Sequence, residues 1–276
     1  MSSIFLYGPP GGGKTTLSAT LTKLGYIPWF YDMDRKIHGM ENLQPLIKSG
    51  KIRVTVPQEA LNEGGLRARL QAGAKGKILK QPKGYLEMVD WITDLEESPP
   101  DDHAIVVPVL DSLTRALEHL KRFTLHSSGK SAMEFPEWAF VLANLEELFD
   151  CFFRLTSPQD NEDSTSALYP HAIIIAHELM EKDELIGKAR ILPLIDGQMR
   201  GKAGSYVSEM YYVFTDVAKN GDVEYKVQTK PVGLISQARS SRDLSTWEEA
   251  DFSVLFKGEK ALQMMKKEVK KHGKEG

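Results

Sequence analysis

The sequence predicts an α/β protein with a mostly parallel central sheet flanked by helices and antiparallel strands added at its C-terminal side. Three observations carry that expectation. The glycine-rich run Gly8-Pro9-Pro10-Gly11-Gly12-Gly13-Lys14-Thr15 lies between the apolar tetrad Ile4 to Tyr7 and a segment, Thr16 to Leu21, with apolar residues at helical spacing. Strand, tight turn and helix therefore follow one another directly. Strand-like and helix-like stretches then alternate, as parallel strands joined by crossover helices require. Finally, successive apolar runs close on Asp32, Asp111 and His177, which would gather polar side chains at one end of the sheet.

In chain order, Tyr26 to Tyr31 reads as a second strand ending at Asp32-Met33-Asp34, and Lys51 to Val56 as a short third. Arg67, Arg69, Lys75, Lys77, Lys80 and Lys83 follow with no acid among them, so residues 66–84 read as a basic, flexible insertion. Tyr85 to Glu97 predicts an amphipathic helix closed by Ser98-Pro99-Pro100. Ala104 to Leu110 is the most apolar strand, although Pro108 cannot donate to a ladder and implies a local bulge. Ser112 to Leu125 reads as a helix, His126 to Phe135 as a loop, and Pro136 to Leu155 as a long helix with its proline at the start. The polar stretch Ser157 to Ser166 leads to a buried strand, Ala172 to Ala176, and then to a charged, glycine-punctuated stretch from Met180 to Ser205. Met210 to Thr215, Val223 to Thr229 and Val232 to Ala238 read as antiparallel strands, the first two joined by Lys219-Asn220-Gly221-Asp222. The expected organisation is one domain, 1–256, followed by a lysine-rich helix or tail, 257–276.

Composition narrows the function classes. With 41% hydrophobic residues and a formal net charge of −3 over 276 residues, the chain reads as an ordinary globular protein with no global basic charge. Its apolar runs fall far short of the ~20 residues of a membrane helix. The tetrad before Gly8 is needed as a strand, so no leader is expected and the host-cell cytoplasm is the predicted compartment. Cys151, the single cysteine, sits in the apolar stretch Leu148 to Phe153 and reads as core filler.

The glycine-rich run fits G-x-x-x-x-G-K-[ST] at every fixed position. Backbone N–H groups of such a turn close around phosphate oxygens, and the following helix start adds roughly half a positive charge. Gly8, Pro9, Pro10, Gly11, Gly12, Gly13, Lys14, Thr15 and Thr16 are thus the expected triphosphate cradle, with Lys14 reaching the β- and γ-phosphates and Thr15 ligating Mg²⁺. Asp111, closing the apolar strand, is the expected second metal carboxylate. The residue after it is Ser112 rather than the glutamate that serves many such ATPases as base, so the base must come from elsewhere. Asp32 and Asp34 end the second strand, and a carboxylate from there could reach the attacking water. A capping role for Asp34 and a strand-filling role for His177 are the alternatives at those positions.

Together, the glycine-rich motif, the pair Asp32-Met33-Asp34, the strand closing on Asp111-Ser112 and the later strand closing on His177 resemble the RecA-like recombinase core. The likeness is greatest to its small, core-only phage members implicated in single-strand annealing, and runs from about Ser3 to Phe256. It implies ATP and Mg²⁺ as cofactors and a DNA-stimulated ATPase that binds single-stranded DNA in phage-type recombination, with a single-strand-binding protein as a candidate further partner. By position, Asp34 stands in for a catalytic glutamate and His177 for a γ-phosphate sensor that is usually glutamine or asparagine. Arg239 and Arg242 match cations that reach a neighbouring subunit's γ-phosphate, which implies a homo-oligomer. The segments matching the family's DNA loops are Phe123 to Phe135 and Glu178 to Ser205, the latter carrying Lys182, Lys188, Arg190, Arg200 and Lys202 among diluting acids. Two other readings of the motif stand beside this one. They are a small-molecule kinase with residues 67–83 as a lid, and a nucleotide-dependent interaction module with little hydrolysis.

Overall fold

The computed structural model describes residues 1–57, 83–157, 167–182, 187 and 189–259. Most of the expected basic insertion, Lys188 and the tail from residue 260 lie outside the described residues. The strands are β1 (Ser2–Gly8), β2 (Ile27–Asp32), β3 (Arg53–Thr55), β4 (Val106–Asp111), β5 (His171–Lys182), β6 (Ala189–Pro193), β7 (Glu209–Val217), β8 (Val223–Gln228) and β9 (Trp247–Glu249). The helices are α1 (Lys14–Ala19), α2 (Gln44–Lys48), α3 (Gly84–Glu97), α4 (Leu113–Ser128), α5 (Phe135–Arg154), α6 (Met199–Lys202) and α7 (Phe252–Leu255). No helix among the described residues is long and apolar enough to cross a membrane.

The strands join in the order β3-β2-β4-β5-β1-β7-β8-β9, with β6 paired to β5 alone. From β3 to β7 every neighbour is parallel. β8 and β9 add antiparallel strands at the far edge, so the sheet is mixed. Alternation along the strands splits the core into two layers. Phe5, Tyr7, Leu110, Ile174 and Met210 pack with α3, α4 and α5 on one face, whereas Ile4, Leu6, Val109, Ile173 and Val213 pack with Leu17, Leu21 and Phe252 on the other. Parallel strands covered on both faces read as continuous apolar runs, which is why the central strands are so plain in the sequence.

Several expectations need correction. Pro108 lies in an internal strand without the expected bulge, since Val106 to Asp111 pair one-to-one with β2. It pairs with Trp29 of β2, and the ladder to β5 begins one residue later at Val109, so the missing N–H is tolerated where β4 is bonded on one side. Val232 to Ala238 is not a strand. Gly233 (φ 65°) lets the chain fold back, with Ile235 N–H donating to the Val232 carbonyl at 3.2 Å, and β9 takes the place beside β8 instead. β5 does not stop at His177 but runs on to Lys182, pairing antiparallel with β6 as a hairpin beyond the parallel sheet. Cys151 is half-buried on α5, its thiol between Glu147 and Arg154, rather than sealed in the core.

The foot of the sheet is closed by a polar knot. Glu259 accepts from Nε2 of the fully buried His171 at 2.8 Å and from the Tyr26 hydroxyl at 3.0 Å, and Arg242, stacked 3.7 Å over the Phe256 ring, reaches it at 3.3 Å. Burial alone would raise the Glu259 carboxyl, but the His171 hydrogen bond, Arg242 and Tyr26 outweigh it and hold it at about 2. A carboxyl held below its unfolded value of 4.5 contributes stability above that pH and loses it as pH falls toward 2. Glu259→Gln is therefore expected to cost about 1–3 kcal/mol near neutrality. Denaturant unfolding of both proteins across pH 4.5 to 2 should show the gap closing as acid is added. A gap that stays constant would remove the linkage.

Candidate functional site

The site forms where β1, β2, β4 and β5 end. β1 delivers the chain into the glycine-rich loop at Gly8, whose φ is 151°, and a Cβ there would stand 2.0 Å from the Val213 carbonyl oxygen. Only glycine lets β7 run this close to the turn. Gly13, at φ 91°, leads into α1, and a Cβ on it would meet the Tyr225 ring of β8 at 2.6 Å. Lys14 folds back over the loop, its Nζ donating to the carbonyls of Gly8 and Pro9 at 2.7 Å each. Burial pushes its ammonium down to about 8, Asp111 opposing that effect.

Opposite the loop, β2 and β4 are in register at Asp32 and Asp111. The Thr15 hydroxyl donates to Asp111 Oδ2 at 2.6 Å, which joins loop and strand tip across 96 residues of sequence. Asp111 Oδ1 is buried without a hydrogen bond and faces Lys36 Nζ at 3.4 Å. Lys36 also pairs with Asp34 Oδ2 at 3.1 Å, and the Ser112 hydroxyl donates to that same oxygen at 3.1 Å. Burial would lower the Lys36 ammonium, but Asp111 and then Asp34 outweigh it and raise it. Asp32 is wholly buried, one oxygen accepting from Ile37 N–H at 2.7 Å and the other unpartnered, and burial raises its carboxyl. The Asp111–Ser112 peptide is cis.

β5 supplies the third wall. His177 pairs in register with Gly8, its N–H donates to the Thr114 hydroxyl at 2.9 Å, and its carbonyl accepts from Leu194 N–H at 2.8 Å. Its Nδ1 is buried and unpartnered, and burial followed by the nearby Lys14 charge lowers the ring's proton affinity. Glu178 next to it accepts from the Tyr212 hydroxyl at 2.8 Å.

Lys14, Thr15, Asp34, Asp111 and His177 therefore come together, with Gly8, Pro9, Pro10, Gly11, Gly12, Gly13 and Thr16 forming the loop and first helical turn around them. Arg239 and Arg242 do not join them. Arg239 pairs through its backbone with Met210, level with Phe5 partway down β1, and its guanidinium donates to the Gly204 carbonyl at 2.8 Å. Arg242 lies at the foot of the sheet, reaching Ser2 at 3.1 Å and held over Phe256. Residues 178–182 and 189–193 form the hairpin rather than a flexible loop. Arg190 of the hairpin and Arg200 of α6 both bind Glu181, at 2.8 and 3.0 Å, and Lys202 of α6 binds Glu146 at 3.2 Å. The other loop is shorter than expected, since α4 continues to Ser128 and α5 begins at Phe135.

The residues that sequence reasoning missed are Lys36, Thr114, Glu178 and Tyr225. Lys36 returns to the site because Arg35 adopts the left-handed region at φ 55°, a turn that no glycine announces. A cavity of about 1040 Å³ is lined by Tyr225, Phe214 and Trp247, and none of Lys14, Asp34, Asp111 or His177 lines it.

A divalent cation can be tested against this donor set. Asp111 has a buried oxygen free of hydrogen bonds, and the Thr15 hydroxyl and Asp34 carboxylate lie beside it. These hard oxygens suit Mg²⁺, which typically takes one or two carboxylates and leaves its remaining positions to water and phosphate. Among the described residues there is no group of three or more His, Cys, Asp or Glu that would hold a metal unaided. The arrangement can thus grip an anion on the loop, neutralise it with Lys14, and present a carboxylate and an imidazole to its far end. No family model and no curated protein matches the chain, so the reading of this site rests on its geometry.

Proposed function

We propose that the chain is a RecA-like P-loop ATPase that binds ATP with Mg²⁺ and acts on single-stranded DNA, promoting annealing or strand exchange. The observation that carries the nucleotide part is the Thr15–Asp111 hydrogen bond at 2.6 Å beneath the Lys14-bearing loop. In this reading Lys14 leaves the carbonyls of Gly8 and Pro9 for the β- and γ-phosphates, regaining a charged partner for a desolvated ammonium. Thr15 and Asp111 would hold Mg²⁺, which when bound neutralises charge on the phosphate oxygens. Asp34, oriented by Ser112, accepts the proton of the attacking water, and His177 faces the phosphate end from β5.

The DNA part draws on exposed aromatic residues at the start of α5. Phe135 is 85% exposed, Phe140 and Trp138 are also exposed, and Lys121 Nζ lies 5.4 Å over the Trp138 ring. Aromatic faces beside cations are the platforms on which unpaired bases stack. They lie toward the site's end of the sheet, since Lys121 pairs with Asp196 and Leu142 abuts Gly197, both just past β6. The homo-oligomer is implied by Arg239 and Arg242, whose present contacts are Gly204 and Glu259, and the nucleotide reading does not depend on it.

The decisive experiment measures ATP hydrolysis with and without a single-stranded oligonucleotide, beside a sizing column. Turnover should need Mg²⁺ and rise several-fold with DNA. ATP turnover indifferent to DNA would remove the recombinase part, and phosphoryl transfer to a small acceptor without DNA would favour a kinase.

A further inference from the structure

Resting on the ATP reading above, we infer that Lys36 is a second triphosphate cation, supplied from within the chain and directed at the γ-phosphate. Its position argues for this. Lys36 Nζ lies 3.4 Å from Asp111 Oδ1, while Thr15 holds Oδ2 of the same carboxylate at 2.6 Å. Thr15 and Lys36 therefore flank one carboxylate, Thr15 on the side of the glycine-rich loop and Lys36 on the side of Asp34. In a P-loop site the hydroxyl and carboxylate that hold the metal mark the β–γ bridge, and the base marks the far side of the γ-phosphorus. A cation between those two marks faces the γ-phosphate.

Charge argues the same way. A triphosphate entering here meets the carboxylates of Asp34 and Asp111, and among the described residues Lys14 is the cation on the loop side. The arginines expected to supply further charge are tied elsewhere, Arg239 to Gly204 and Arg242 to Glu259. Lys36 is already among the acids, is free enough to move with its side chain 42% exposed, and among the described residues pairs with those two carboxylates. Without nucleotide it screens Asp34 from Asp111. With nucleotide it turns by a few ångströms from carboxylate to phosphate.

The test compares ATP and ADP affinities, with Mg²⁺, of wild type, Lys36→Ala and Lys36→Arg by equilibrium titration. A γ-phosphate cation predicts that Lys36→Ala weakens ATP about 10-fold or more while ADP changes about 2-fold at most, because only ATP carries the contacted group. Lys36→Arg should recover most of the loss. Equal weakening of both nucleotides would assign Lys36 to screening the acids, and unchanged ATP affinity would remove it from the site; either overturns the inference. If alanine loosens the turn, seen as a lower melting temperature, Lys36→Met keeps the alkyl stem and gives the same comparison. Wild-type protein that binds neither nucleotide would instead sink the ATP reading itself.

Discussion

Lys14→Ala is expected to lower ATP affinity by about two orders of magnitude, ~3 kcal/mol, while the protein stays folded. The ammonium is the loop's own cation, and no other described side chain reaches the Gly8 and Pro9 carbonyls it now occupies. The fold should survive because Lys14 is a burden to the nucleotide-free protein. Burial holds its pKa at about 8 against 10.5 in the unfolded chain. A lysine lowered in this way costs nothing above pH 10.5, costs progressively more as pH falls to about 8, and costs a constant amount below that. Relative to Lys14→Ala, the wild type should therefore lose stability over that interval, in part offset by the two hydrogen bonds that alanine forfeits. Unfolding titrations at several pH values and nucleotide titration at one pH check both halves. Undiminished ATP affinity would remove the glycine-rich loop from the site.

Asp34→Asn should reduce turnover by about 10²- to 10⁴-fold with ATP affinity nearly unchanged. Asparagine keeps the size of the side chain and an oxygen for the Ser112 hydroxyl, but cannot take a proton from water. The change removes a negative charge that would repel the phosphates and leaves the pair Lys36–Asp111 at 3.4 Å in place, so ATP affinity should not fall. Steady-state turnover beside equilibrium binding separates the two effects. Turnover within about threefold of wild type would clear Asp34 of the role and leave His177 as the remaining candidate.

Much of this site was legible because two independent signals coincide at it. The glycine-rich motif fixes one side, and the buried strand ending at Asp111 fixes the other by composition alone, even though Thr15 and Asp111 are 96 positions apart. Asp34 and His177 followed from the same logic of strand tips. What escaped notice had no periodic signature. The continuation of β5 through Glu178 to Lys182 leaves the apolar layers, its residues are partly exposed, and charged side chains mask the strand. The segment from Val232 to Ala238 shows the reverse error, since its apolar residues promised a strand that the turn at Gly233 prevents. Lys36 depends on a left-handed arginine, which no residue-type preference foretells.

The hydrogen bonding of His177 restricts how this wall of the site can respond. With its N–H fixed to Thr114 and its carbonyl fixed to Leu194, the main chain is bolted on both sides, and the ring is the only part left to answer a change in charge beneath it. If the loop holds a phosphate, as proposed, the imidazole is the part of this wall placed to turn toward it.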